Sequence, residues 1–381
     1  MSSSGQSNPF TFSEPVAPVD LIDRDKEAAL LVERALGGHN SRLVAPRRYG
    51  KTSLLRRSLA DIETQGLVGV YVNFFGVLTQ TDVAARIESA YAEQLPRRLA
   101  RWFDGIRRTL RASVRAGGGP LPVSVELAAS DGPERGLLDW LALPRQLHAA
   151  KGVRTLIVFD EFQDVLLAGE RIDAVIRSEI EHHSQAASYV FAGSHVGMMR
   201  ELFASKRRAF YGQAGAVELG PLSPEDVAEY VGERFSEAGR EIGGALGPLL
   251  DFCDGHPQRT MLLAHSVFER VGSKGEADAS TFVQALDHVL AVEAGDELRT
   301  QWSALTAGQR RALTAIAENR GSLYGHAVQA RVGGTRGGSV TTALRGLIDA
   351  GEVVSDPTSA TGYRVVDPLL AYWVQAGRQR G

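Results

Sequence analysis

Cysteine, lysine and long apolar runs are what this chain of 381 residues has least of. Its one cysteine, Cys253, excludes an internal disulfide and fits a reducing, cytoplasmic compartment. No stretch of about 18 apolar residues occurs, so no membrane span is expected. The opening MSSSGQSNPF has neither a basic nor an apolar segment, so no secretory leader is expected. An excess of either charge is missing too. With 42 Lys and Arg against 45 Asp and Glu, the net charge is −3, and any nucleic-acid contact has to be a local patch. Five of those 42 cations are lysines and the rest arginines, the usual mark of GC-rich coding, which makes each lysine worth inspecting. What remains is ordinary globular composition, 44% hydrophobic and 23% charged, over a length that suits two or three domains.

Periodicity divides the chain. Residues 1–15 read as a loose tail. Helical spacing runs from Asp20 to Leu36, and an apolar strand candidate follows at 41–45. A helix comes next, from Lys51 to about Gln65. Further short apolar strands are expected at 68–72, 155–159, 188–192 and 216–219, with helical patterns between them. Continuously apolar strands alternating with helices mean a parallel sheet covered by helices on both faces. After Pro221 the strands stop. Ser223-Pro224-Glu225-Asp226 opens a helical region with an N-cap, a first-position proline and first-turn acids. From about 295 helices give way to two strand-like pieces, 351–355 and 362–366. The expected segments are therefore a tail at 1–15, an α/β domain at 16–222, a helical lid at 223–294 and a last domain at 295–381.

Ala45-Pro46-Arg47-Arg48-Tyr49-Gly50-Lys51-Thr52 matches G-x-x-x-x-G-K-[ST] except at its first residue. Between a strand and a helix such a loop turns its N–H groups and the positive end of the helix toward one hollow. Gly50 admits a phosphate, Lys51 is a mobile charge for the β and γ phosphates, and the Thr52 hydroxyl suits Mg²⁺. Pro46, Arg47, Arg48, Tyr49 and Ser53 complete the loop. Ala45 costs little unless that position needs a positive φ. About 110 residues on, Thr155-Leu-Ile-Val-Phe159 ends in Asp160-Glu161. An acid at such a strand end holds Mg²⁺ in P-loop NTPases, and an adjacent glutamate orients water. Alone, the pair would read as first-turn acids of a helix.

Taken together the motifs resemble a family. Asp20-Leu-Ile22-Asp23-Arg24-x-x-Glu27 looks like a D-F-I-G-R-x-x-E box. It is followed by PRRYGKTSLL from Pro46, Phe159-Asp-Glu-Phe-Gln163, Gly193-Ser194, Pro221-Leu222 and Gly255-His256-Pro257. The chain resembles, over residues 16–375, the archaeal-type ATPases of the AAA+/STAND group of P-loop NTPases. These also occur in bacteria and are related to origin-recognition-type initiators. Ala45 and Asp23 depart from the family's glycines. The resemblance implies ATP or ADP with Mg²⁺ as ligands and Ile22 and Arg24 near the adenine. It implies Ser194 as a γ-phosphate sensor and Arg259 as a second sensor on a lid helix. In a homo-oligomer, Arg200, Arg207 or Arg208 could act in trans as an arginine finger.

Residues 306–366 read as a winged helix, with Ser339–Ile348 at the recognition-helix position and a wing turning at Asp356. Residues 301–381 carry nine arginines and five acids. Arg336, Thr341, Thr342, Arg345 and Arg364 could contact duplex DNA. A protein-docking role stands equally open. Between Arg97 and Arg115 seven arginines oppose an apolar stripe, either a solvated face or an anion-binding one. Val123, Val125 and Leu127 alternate like one more strand. The first reading of function is a Mg²⁺-dependent ATPase switch. The second is a nucleotide-gated switch for DNA or protein with little turnover, and the third a DNA-binding regulator with an inactive ATPase core.

Overall fold

The computed structural model describes residues 8–115, 133–319, 321, 323 and 337–377. The expected strand over 123–127 and Arg336 lie outside them. Two compact units emerge. One comprises Asp25–Ala45 and Leu54–Leu219, the other Met1–Arg24, Pro46–Ser53 and Gly220–Gly381.

The first unit is built on five parallel strands, β1 (Ser41–Val44), β2 (Val68–Asn73), β3 (Thr155–Asp160), β4 (Ala187–Gly193) and β5 (Gly215–Glu218), in the order β2-β3-β4-β1-β5. Each strand lies within a residue or two of its sequence expectation. β4 separates β1, which leads into the phosphate-type loop, from β3, which ends in the acid pair. Helices connect the strands: α1 (Asp25–Leu36), α2 (Lys51–Thr64), α3 (Gln80–Gln94), α4 (Arg97–Arg115), α5 (Pro133–Leu141), α6 (Leu143–Lys151), α7 (Ile172–Ile180) and α8 (Val196–Ala204). α1 starts five residues later than its periodicity suggests. Pro18–Asp20 forms a 3₁₀ turn, Leu21 is extended, and Asp23 is left-handed at φ 47°, so the helix cannot propagate through them.

The sheet's register sorts its side chains. Phe159 pairs with Phe191 and Ile157 with Tyr189, which puts these on one face. There the rings of Phe162, Phe191, Phe203 and Phe210 pack at 4.8–6.2 Å. The opposite face carries Leu156, Val158 and Asp160. The edge strand β2 is protected by one side chain. Gln94 accepts from Tyr71 N and donates to Tyr71 O, each at 2.8 Å, as a neighbouring strand would. On α4, Leu99, Phe103 and Leu110 are buried and Arg101 and Arg108 exposed, while Arg107 pairs with Glu88 at 2.6 Å. A packed stripe under a solvated basic face is what these residues form.

The second unit continues with α9 (Pro224–Glu237), α10 (Leu246–Cys253), α11 (Pro257–Arg270), α12 (Ala279–His288), α13 (Gly295–Ala304), α14 (Ala307–Ala317), α15 (Gly337–Ala350) and α16 (Pro368–Gln375). An antiparallel pair, β6 (Val353–Ser355) and β7 (Tyr363–Val365), lies between α15 and α16. Caps set the boundaries as the sequence suggests. Ser223 accepts from Asp226 N at 3.3 Å, and Thr306 and Gln309 form a capping box. The expected lid and final domain share one core, in which Leu263, Leu298 and Leu313 are all fully buried. Part of the expected tail belongs to that core as well. Phe10 is 2% exposed against Phe235 and Phe268, and Asn8 Nδ2 donates to His265 O at 3.1 Å. One buried aromatic is enough to fix residues that composition alone marks as loose.

Candidate functional site

The loop after β1 has the conformation its sequence requires. Ala45 is buried and has no positive φ, so alanine in place of glycine there is unstrained. The left-handed positions fall later, at Arg48 (φ 64°) and Gly50 (φ 81°). A Cβ added to Gly50 would meet no atom within 4 Å, so this backbone faces open space. Lys51 and Ser53 are buried, Thr52 is half-buried, Pro46 is half-buried and Arg47 exposed. Ser53 Oγ accepts from Val16 N at 3.2 Å. The other glycine departure behaves differently. Asp23 does adopt a positive φ, and its Oδ2 accepts from Ser223 N at 2.7 Å, which offsets the strain. Next to it, buried Arg24 donates to Gly220 O at 2.7 Å, and Ile22 packs against the unit's core.

The loop's side chains engage the helices of their own unit. Tyr49 packs edge-on against His256 with centroids 5.2 Å apart. Arg48 pairs with Glu297, and Glu297 also accepts from Arg259 Nη2 at 2.9 Å. Arg259, 1% exposed, sends Nε to both oxygens of Asp367 at 3.0 and 3.1 Å. Burial alone would raise the Asp367 carboxyl, but the Arg259 guanidinium outweighs it and holds the carboxyl below its usual range. Asp367 also caps α16 by accepting from Leu369 N at 2.9 Å. The arginine expected as a sensor thus sits in a buried ion pair. No motif in the sequence pairs it with these partners, 38 and 108 residues away.

The acid pair lies at the carboxyl edge of the parallel sheet, where α/β folds place ligands. Asp160 is 2% exposed. Its Oδ1 accepts from Glu161 N at 2.9 Å and its Oδ2 from Tyr71 Oη at 2.6 Å. Glu161 leaves the strand in a left-handed conformation, φ 48° and ψ 42°, which turns its side chain away from that of Asp160. Its Oε2 accepts from Ser194 Oγ at 2.8 Å, Ser194 N at 3.2 Å and Gln163 Nε2 at 2.7 Å. Ser194 and Glu161, both singled out from sequence, are therefore in direct contact. Gly193 is required beside them: a Cβ there would lie 2.3 Å from Gln163 Oε1 and 2.6 Å from Met199 Sδ. Tyr71 carries the one hydroxyl of β2, and no motif in the sequence marks it.

The donor chemistry fits Mg²⁺. The Asp160 carboxylate offers hard oxygens at the strand end. Among the described residues no three His, Cys, Asp or Glu cluster as a protein cage. Mg²⁺ needs only one or two such oxygens beside water and phosphate.

The remaining candidates are more dispersed. Arg200 and Arg207 are exposed, while Arg208 donates through Nε to Glu201 at 2.9 Å within its own unit. On α15, Thr341, Thr342 and Arg345 share an exposed edge opposite buried Val340, Leu344 and Leu347. Arg364 on β7 reaches Asp254 at 3.4 Å. No described helix is long and apolar enough to cross a membrane.

Together the sheet order, the loop and the strand-end acids define a P-loop α/β fold. Solved structures of that fold resemble the chain along nearly its whole length. A Walker-type ATPase of Pyrococcus abyssi superposes with a TM-score of 0.67 at 17% identity, covering 96% of this chain and 99% of that one. The ORC2 protein of Aeropyrum pernix, in ADPNP–ADP complexes, gives 0.57 at 18% identity, covering 96% and 98%. Neither a protein-family model nor a curated protein matches the chain.

Proposed function

We propose that the chain is a Mg²⁺-dependent ATPase of the AAA+/STAND type, a cytoplasmic switch whose nucleotide state governs its helical lid and winged helix. The observation that carries this is the acid pair. Asp160 is a buried carboxylate with both oxygens oriented, and Glu161 is turned away from it and held by Ser194. These are the two separate jobs that phosphoryl transfer to water demands. In this reading Lys51 and the N–H groups of residues 46–53 bind the phosphates, and Ile22 and Arg24 border the adenine. Thr52 and Asp160 hold Mg²⁺, which when bound neutralises charge on the β and γ oxygens. Glu161 orients the attacking water, and Ser194 ties the position of Glu161 to the γ-phosphate. Arg259 acts as a second sensor on leaving Asp367. An arginine finger from a second copy, at Arg200, Arg207 or Arg208, completes the site. The ADPNP–ADP complexes of the ORC2 protein support nucleotide as the ligand.

The test is steady-state ATP hydrolysis by wild type, Lys51→Ala and Glu161→Gln, across protein concentration and with or without duplex DNA. Turnover lost in Glu161→Gln with ATP binding kept supports the assignment. A further rise with DNA supports duplex DNA as the partner, with Thr341, Thr342, Arg345, Arg364 and Arg336 as its candidate contacts. Absence of turnover in wild type under every condition overturns the enzyme reading. The second reading, a nucleotide-gated DNA- or protein-binding switch with little turnover, is favoured by the three hydrogen bonds already on Glu161 Oε2. ADP retained tightly by a monomer would support it.

A further inference from the structure

Asp160 is the last residue of β3, and the strand beside it decides how its carboxylate is held. In the β2–β3 register Tyr71 opposes Val158 and Asn73 opposes Asp160. Tyr71 and Asp160 therefore lie on the same face as diagonal neighbours, a span an aromatic side chain can cross. Tyr71 Oη does so, donating to Asp160 Oδ2 at 2.6 Å. The opposite oxygen is fixed by Glu161 N. The backbone that carries Tyr71 is pinned on both edges, by β3 on one side and by Gln94 on the other.

We infer that Tyr71 is a positioning residue for divalent-cation binding: its hydroxyl locks the Asp160 carboxylate in the orientation that Mg²⁺ uses. This rests on the Mg²⁺-ATPase reading. A group that orients a metal-binding carboxylate through a hydrogen bond is typically worth 10–100-fold in metal affinity or activity. The hydroxyl of Tyr71 is the atom that matters, because its ring and backbone survive replacement by phenylalanine.

The experiment is binding of a fluorescent, non-hydrolysable ATP analogue titrated with MgCl₂, so that the readout is half-saturating Mg²⁺ and not turnover. Tyr71→Phe is compared with wild type and with Gln94→Ala, which loosens the same backbone without removing the hydroxyl. The expected result is a half-saturating Mg²⁺ raised about tenfold or more in Tyr71→Phe and within about twofold in Gln94→Ala. Analogue binding in EDTA should be equal in all three. In an Asp160→Asn background, Tyr71→Phe should add no further shift. A Tyr71→Phe protein with wild-type Mg²⁺ dependence, or with tighter Mg²⁺ binding, overturns the inference and leaves the ATPase reading standing. So does a Tyr71→Phe protein that fails to fold, since the hydroxyl would then be holding the sheet and not the carboxylate. A wild type whose analogue binding ignores Mg²⁺ overturns the ATPase reading and this inference with it.

Discussion

Replacing Asp367 by asparagine should destabilise the second unit by stranding a buried charge. Asparagine keeps the size of the side chain and an oxygen to cap α16, but removes the charge facing Arg259. Arg259 is 1% exposed and Asp367 9%, so solvent cannot take over the lost interaction. Stranding one member of a buried ion pair costs about 3–5 kcal/mol. Glu297, half-buried, still accepts from Arg259 Nη2, which favours the lower end, about 3 kcal/mol. Tryptophan fluorescence can follow this unit alone. Trp302 and Trp373 pack together in it at 6.1 Å, and Trp102 and Trp140 of the other unit can be changed to phenylalanine. Urea unfolding in that background should show Asp367→Asn destabilised by about 3 kcal/mol. Arg259→Leu/Asp367→Asn should recover much of the loss, because no uncompensated charge remains. A loss below about 1 kcal/mol in the single variant, or a double variant worse than the sum of its parts, would refute the buried-pair argument.

The sequence made local arrangements visible and long-range ones invisible. Strand, loop and helix around Lys51 are contiguous, so hydrophobic pattern and Gly50 suffice to place them. The same holds for β3 running into Asp160 and Glu161. Two departures from glycine looked alike on paper and differ in the structure. Ala45 has an ordinary φ, whereas Asp23 is left-handed and relies on Ser223 N, 200 residues away, for compensation. Nothing in a local pattern specifies such partners. Tyr71 meets Asp160 across 89 residues through strand register, and Arg259 meets Asp367 across 108. Phe10 shows the converse limit, since a polar tract dilutes the one ring that docks it. Both the loop's contacts and the expected sensor depend on partners of this kind, so motif spacing identified the residues without their electrostatic state.

The remaining predictions concern the first unit's core and the cap at His256. Gly193→Ala should displace Gln163 from Glu161, cost about 1–3 kcal/mol by overpacking, and depress any hydrolysis more than nucleotide binding. Tyr91 Oη is buried without a hydrogen-bond partner among the described residues, so Tyr91→Phe should leave thermal stability unchanged or raised. His256 carries a pH dependence whose sign can be worked out. Burial pushes its imidazole down to about 4, against about 6.5 in an unfolded chain. Its Nδ1 accepts from Arg259 N at 3.3 Å, a bond that needs the neutral ring. Above pH 6.5 neither state binds the proton. Between 6.5 and 4 the unfolded chain takes it up and the folded one does not, so stability falls as the pH falls, by about 3 kcal/mol over the window. Asp367, held low, contributes its own loss only below the usual aspartate range. His256→Asn keeps a capping oxygen and removes the titration. Urea unfolding at pH 7, 6, 5 and 4.5 should therefore give a shallower decline in His256→Asn than in wild type. Parallel declines would mean that the imidazole is reached by water in the folded protein and that Tyr49 does not seal it.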